Sequence, residues 1–219
     1  MAQLYLDRSV NSINVVDSNF AAAAGVGIIL NQGEAVRLVG NCFESLGGPA
    51  IYANQIGSLT ISSCYYEANN LSPDRFRWFG QPAGPQLCAD VVLNGAGNRT
   101  AGRWAADEWG TDPARLDALV ARAPEWTATR PQYAMRPQPL TDSSWYGAAV
   151  IEGNYHNPDQ SQCPGTQYYG VYVASGDGVS VRNNDCRACT KRHPTQKCSA
   201  VGGINVSNVE QTRNTGEWS

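Results

Sequence analysis

The chain repeats itself at residues 12–34, SINVVDSNFAAAAGVGIILNQGE, and at residues 35–57, AVRLVGNCFESLGGPAIYANQIG. The two stretches align at a constant offset of 23 residues, and each carries two short β-like apolar runs. Units of this size cannot bury their apolar faces alone, so their repetition predicts a solenoid in which successive units stack. The aligned pairs are Ile13 and Val36, Val15 and Leu38, Phe20 and Phe43, Ile28 and Ile51, and Asn31 and Asn54.

The repeat continues beyond these two units. Residues 58–70, SLTISSCYYEANN, carry it on at the same spacing, and residues 148–155 and 179–186 resume it. The pattern predicts an all-β solenoid of about five coils, forming a single domain over residues 1–219. The apolar positions assigned to the later coils are Leu59, Ile61, Tyr66, Ala148, Val150, Tyr155, Val179, Val181 and Cys186.

Residues 98–144 show no repeat, and we expect them to be an insertion into the solenoid. A short helix is predicted at residues 112–123, with Asp112 as its N-cap, Pro113 in its first turn and Pro124 as its stop. Apolar residues recur at helical spacing within it, which predicts that one face docks on the solenoid.

Composition excludes several classes of protein. Charged residues are only 16% of the chain and the net charge is −3, so no basic stripe supplies the charge that nucleic-acid binding needs. No apolar run reaches the roughly 18 residues of a membrane span, so we expect no membrane insertion. Seven cysteines favour an extracellular or cell-surface location. The N-terminus lacks a signal peptide, so either the protein stays inside or this chain begins downstream of its natural start.

Stacking makes equivalent positions of successive coils neighbours, and we call each such set a column. One predicted column is aromatic and faces inward, and a second runs along a bend, where stacked amides hydrogen-bond along the axis. Both columns are expected to serve the fold. Their members are Phe20, Phe43, Tyr66, Tyr155 and Cys186 for the first, and Asn31, Asn54, Asn94, Ala174 and Ser207 for the second.

Residues 61–70, ISSCYYEANN, combine a strand, a cysteine, an aromatic pair, a glutamate and an asparagine. This segment resembles those of the pectate-lyase-like superfamily of right-handed, single-stranded parallel β-helices. The resemblance implies that fold for the repeats, and it implies either a polysaccharide-active protein or a non-catalytic adhesive part. The catalytic motifs of polygalacturonases are not present, since residues 175–178 and 214–216 match them only in part.

Side-chain direction alternates along a strand, so the residue after each inward aromatic should point outward. The resulting outward column, Glu44, Glu67, His156 and Arg187, supplies the candidate catalytic residues. Two carboxylates about 5 Å apart fit the spacing of retaining glycosidases. Alternatively, Glu44 and Glu67 could hold Ca²⁺ while His156 or Arg187 acts on a uronate. Solvated surface charge is the third interpretation.

Aromatic residues in the predicted loops are candidates for substrate binding: Trp78, Trp104, Trp145 and Tyr168. Flat rings stack on sugar faces, but they also fasten long loops to a scaffold, and the sequence leaves both roles open.

The run from Cys186 to Cys198 has the spacing C-x2-C-x3-H-x4-C, close to that of a zinc knuckle. Cys186 lies on the inward column and is directed away from a shared metal site, so no zinc site is assigned. We expect a disulfide among the last loops, with Cys163 and Cys198 as the candidate pair, because both precede a returning strand.

Two classes of function remain open at this point. One is a polysaccharide lyase or glycoside hydrolase acting at the outward column, and the other is a non-catalytic adhesive, cell-surface or tail-spike-like solenoid. The expected partners are a polysaccharide or glycan, and either further copies of the chain or further coils of a longer chain.

Overall fold

The computed structural model describes residues 2–72, 88–97, 149–157, 167–187, 197–207 and 210–215. These residues form β-strands that pair in parallel, so the predicted all-β, parallel fold is confirmed. The predicted insertion at 98–144 and its helix at 112–123 lie outside the described residues. The strands are β1 (Ala2–Val16), β2 (Asn19–Ala21), β3 (Val26–Val39), β4 (Cys42–Glu44), β5 (Ile51–Ile56), β6 (Leu59–Ser62), β7 (Tyr65–Glu67), β8 (Cys88–Gly97), β9 (Ala149–Glu152), β10 (Tyr155–Asn157), β11 (Gln167–Asp177), β12 (Val179–Arg182), β13 (Lys197–Ser207) and β14 (Glu210–Thr212).

The strands form two sheets. The larger has the order β13-β11-β8-β5-β3-β6-β9-β12-β14, with β1 paired to β3, and the smaller has the order β10-β7-β4-β2. The 23-residue repeat appears directly in the register, where Ile28 pairs with Ile51 and Phe43 with Tyr66. Strand β14 pairs in parallel with β12 at the edge of the larger sheet.

A column of stacked aromatic side chains on the smaller sheet faces the core. Phe20, Phe43 and Tyr66 stack at centroid distances of 5.1 and 5.2 Å with nearly parallel rings. Phe43 and Tyr66 are fully buried, whereas Phe20 at the end of the column is only partly buried. The first three members of the predicted inward column are therefore confirmed.

A ladder of asparagines fixes the bend between the two sheets. The side-chain oxygen of Asn184 accepts a hydrogen bond from the backbone N–H of Asn154 at 3.1 Å, and its amide donates to the carbonyl of Ile151 at 3.2 Å. Cys64 takes one position of this column and donates its thiol to the Leu38 carbonyl instead. Buried backbone groups at the bend are thereby satisfied. The asparagines of this ladder are Asn41, Asn154, Asn184 and Asn214.

The residue before each member of the ladder adopts a left-handed conformation. Gly40 and Gly153 have φ of 68° and 64°, and the non-glycine residues at equivalent positions also have positive φ. This conformation turns the chain sharply from the larger sheet into the smaller one. Those non-glycine residues are Asp17, Ser63, Asn183 and Arg213.

The predicted register of the fourth unit is wrong by one residue. Ala149 and Ile151 pair with Leu59 and Ile61 and face the core, whereas the sequence assigned Ala148 and Val150 to these positions. A shift of one residue exchanges the two faces of a strand. Tyr155 is therefore on the outer face and not in the inward column.

Phe43 and Phe20 provide a matched test of the stacked column. Replacing Phe43 with Ala should lower the free energy of unfolding by about 3–5 kcal/mol, because it removes a fully buried ring. Phe20→Ala should cost clearly less, because Phe20 lies at the partly exposed end of the same column. Urea denaturation followed by circular dichroism measures both, and equal losses would contradict the stacking order.

Candidate functional site

Glu44 and Glu67, the two carboxylates of the predicted outward column, pair in register on strands β4 and β7. Adjacent strands are about 4.8 Å apart, so the two residues are direct neighbours. Glu44 is exposed and Glu67 is partly buried. Within the part of the chain that the structure describes, neither residue takes part in an ion pair.

Two donors hold the Glu67 carboxylate in place. The Tyr65 hydroxyl donates to Oε2 of Glu67 at 2.7 Å, and Nδ2 of Asn157 lies 3.4 Å from Oε1. Asn157 pairs with Glu67 on the next strand and so occupies the column position that the sequence assigned to His156. The assignment of His156 to the outward column is wrong, and it follows from the same one-residue shift.

His156 lies in the buried column instead. Its ring stacks on Tyr66 at a centroid distance of 4.6 Å and is fully buried. Nδ1 of His156 lies 2.8 Å from Oδ2 of Asp90, and Oδ1 of Asp90 accepts a hydrogen bond from the side-chain amide of Asn69 at 3.1 Å. An ionised carboxylate only accepts hydrogen bonds, so with Asp90 ionised Nδ1 of His156 is the donor of this contact. A residue enclosed in this way cannot act on a polymer lying along the outer face.

The surroundings of this pair are tightly packed and polar. A Cβ atom at Gly170 would lie 3.0 Å from the His156 ring and 2.9 Å from the Cys186 sulfur, so only glycine fits there. Nε2 of His156 is buried without a hydrogen-bond partner in the described residues, and the hydroxyls of Tyr66 and Tyr168 are buried nearby. Burial raises the pKa of both phenols well above the usual value, and the charge of Asp90 adds to the shift.

Tyr65 and Tyr155 stack on the outer face of the smaller sheet. Their centroids are 5.4 Å apart, the ring planes differ by 5°, and the residues are 37% and 38% exposed. Each ring therefore covers one face of the other. Burial and the hydrogen bond to Glu67 raise the pKa of Tyr65 to about 12. Sequence analysis missed this pair because Tyr155 had been assigned to the core.

Within the described residues, the Tyr65 ring has no aromatic contact other than Tyr155. On the side away from Tyr155, the neighbour in register is Cys42, whose side chain is too short to cover a phenol ring. The Tyr65 side chain leans towards Glu67, as its hydrogen bond shows, and Glu44 lies beside Glu67 on the strand of Cys42. We call the outer-face surface formed by Cys42, Glu44, Tyr65 and Glu67 the ledge.

The two carboxylates of the ledge act on the Cys42 thiol. Partial burial raises the pKa of the Cys42 thiol, and the carboxylates of Glu44 and Glu67 raise it further. Both carboxylates are thus close enough to oppose the formation of a thiolate.

Arg187, the last residue of the predicted outward column, is neutralised by Asp185. Nη2 of Arg187 lies 2.6 Å from Oδ2 of Asp185, and its Nε lies 3.0 Å from Oδ1. This bidentate contact lowers the pKa of Asp185 well below its usual range. The guanidinium is held by its own neighbour and not by Glu67.

The remaining predicted site residues divide into two groups. Tyr168 is fully buried in β11 and packs in the core, so its assignment to an exposed substrate-binding loop is wrong. The other predicted positions cannot be compared, because they lie outside the described residues or, for Cys198, outside the described side chains. They are Trp78, Trp104, Trp145, Cys163 and Cys198.

Neither a metal cluster nor a membrane span is found in the described residues. No group of three or more His, Cys, Asp and Glu residues is arranged to hold a metal ion there. No helix in the same part of the chain is long and apolar enough to cross a membrane. The predicted Ca²⁺ at Glu44 and Glu67 remains a prediction.

Replacing His156 tests its burial. His156→Ala should lower the free energy of unfolding by about 3–5 kcal/mol, because it removes a fully buried ring together with its hydrogen bond to the buried Asp90. Tyr155→Ala, next to it on the outer face, should cost about 1 kcal/mol through the lost ring stacking. Chemical denaturation measures both variants.

A double variant separates the hydrogen-bonded pair from simple packing. Asp90→Ala combined with His156→Ala should cost less than the sum of the two single changes, because neither partner is then left alone. Strictly additive losses, or equal effects of the His156 and Tyr155 changes, would contradict the buried pair.

Comparison with known proteins finds no match to any family model, curated protein or solved structure. A proposal about function therefore rests on the geometry of the ledge and on the chemistry of its side chains.

Proposed function

We propose that the chain is a carbohydrate-binding parallel β-helix and that the ledge is its glycan-binding site. The observation that carries this proposal is the exposed ring of Tyr65 beside two carboxylates, one of which is fixed by hydrogen bonds. Sugars present an apolar C–H face and a rim of hydroxyls. An aromatic face packs against the former, and carboxylate oxygens accept hydrogen bonds from the latter.

The finer description of the fold belongs to the same proposal. We infer a right-handed, single-stranded β-helix of the pectate-lyase-like superfamily, with about five coils and one insertion. The in-register parallel pairing and the asparagine ladder support stacked coils. Crossovers between parallel strands are right-handed in nearly all proteins, which supports the handedness.

Glycoside hydrolysis is a second candidate function, supported by the pairing of Glu44 with Glu67. Their strand spacing of about 4.8 Å approaches the roughly 5 to 5.5 Å between the carboxylates of retaining glycosidases. A lyase mechanism has less support, since its predicted base, His156, is buried and its predicted cation, Arg187, is paired with Asp185. A non-catalytic adhesive or tail-spike-like role remains the alternative to both enzymes.

We further propose an extracellular or cell-surface location, with other copies of the chain or further coils as partners in assembly. Cys88 is disulfide-bonded, which fits an oxidising compartment, whereas Cys42, Cys64 and Cys186 are free thiols. The pairing of Cys163 with Cys198 remains a prediction.

Glycan binding is tested with Tyr65. A glycan array identifies a ligand, and isothermal titration calorimetry then compares variants. Tyr65→Ala should weaken binding about tenfold by removing the stacking face. Glu210→Gln, an exposed acid in β14, is the matched control and should bind like the unchanged protein. If the Tyr65→Ala variant binds the glycan as tightly as the unchanged protein, the binding site is not on the ledge.

Catalysis is tested with the two glutamates. If the protein hydrolyses the glycan, Glu67→Gln should lower kcat by several orders of magnitude, because it removes a reacting carboxylate. Tm should change little, since Glu67 is not fully buried. Reducing-end and unsaturated-product assays distinguish hydrolysis from elimination. Full activity in the Glu44→Gln, Glu67→Gln double variant would exclude this pair as the catalytic residues.

A further inference from the structure

We infer that the ledge selects amino sugars with a free ammonium group over N-acetylated sugars and over uronates. This inference rests on the proposed glycan binding and specifies the class of sugar that binds.

The first argument is the uncompensated charge of the ledge. Glu44 is exposed, Glu67 is next to it, and neither makes an ion pair in the described residues. A sugar ring stacked on Tyr65 would lie alongside both carboxylates. An ammonium on that ring would gain an opposite charge, and a uronate carboxylate would meet two like charges.

The second argument is that the outward column, in the part of the chain that the structure describes, offers no unpaired cation to a uronate. Arg187 is the nearest basic residue of the outward column, and Asp185 already binds it through two nitrogen atoms. A uronate at the ledge would have to compete with Asp185 for this guanidinium. Recognition of acidic sugars, which the superfamily resemblance would favour, therefore has no support among the described residues.

The third argument is the aromatic ring itself. The exposed ring of Tyr65 attracts a cation through its quadrupole, and this attraction acts in the same direction as the carboxylates. Acetylation of the sugar nitrogen removes the charge but keeps the C–H face. The difference in affinity between the two forms therefore includes the electrostatic contribution, and its dependence on salt identifies that contribution.

The experiment compares three ligands of equal length by calorimetry at a pH that keeps the amine protonated: oligomers of glucosamine, N-acetylglucosamine and galacturonate. We expect the glucosamine oligomer to bind about fivefold to tenfold more tightly than the acetylated one, and the galacturonate oligomer to bind most weakly. Added salt should reduce this preference, because it screens exposed charges.

Two variants identify the source of the preference. Glu44→Gln should clearly reduce the preference for the glucosamine oligomer, and the Glu44→Gln, Glu67→Gln double variant should reduce it further. The acetylated oligomer should bind these variants with little change, and Glu210→Gln should keep the full preference. Equal or tighter binding of the acetylated or galacturonate oligomer would overturn the inference and leave the proposed glycan binding standing. A full preference in the Glu44→Gln, Glu67→Gln double variant would also overturn it. No binding of any glycan would overturn both.

Discussion

The structure depends on the hydrogen bonds of the bend between the two sheets. At this bend the backbone passes through a left-handed residue, and the next residue must supply the hydrogen bonds that the interrupted strands cannot. An asparagine side chain supplies both an acceptor and a donor. Its amide oxygen accepts from a backbone N–H of the preceding coil, and its amide nitrogen donates to a backbone carbonyl. Cys64 supplies only the donor, and Asn154 on the next strand accepts from its N–H. The ladder thereby sets the register of both sheets.

The register in turn determines which side chains of the smaller sheet point into the core and which point outward. Along β7, Tyr65 points outward, Tyr66 inward and Glu67 outward, so one tripeptide serves the core and the candidate site. The core side continues into His156, where stacking changes from a phenol to an imidazole and requires Asp90 as a partner. The outer side presents the ledge. A polar pair in the core and a charged ledge on the surface thus arise from the same strands.

The sequence anticipated the first three units because their repeat is constant. Phe20, Phe43 and Tyr66 stack as the 23-residue offset requires, and Glu44 and Glu67 are neighbours for the same reason. The predicted register of the fourth unit was wrong because Tyr155 was aligned with Tyr66 across an insertion that carries no repeat. The turn residues held the correct signal, since Gly153-Asn154 matches Gly40-Asn41 and places His156 inward.

By itself the sequence determined that the chain is all-β with parallel strands, because a constant repeat of alternating apolar residues can bury its faces only by stacking. Only the tertiary structure decided which side chains meet across long separations. Asp90 reaches His156 from 66 residues away, and Arg187 is captured by Asp185 in preference to the glutamates. Such contacts depend on three-dimensional packing and on alternation counted from the turn, and neither leaves a local pattern in the sequence.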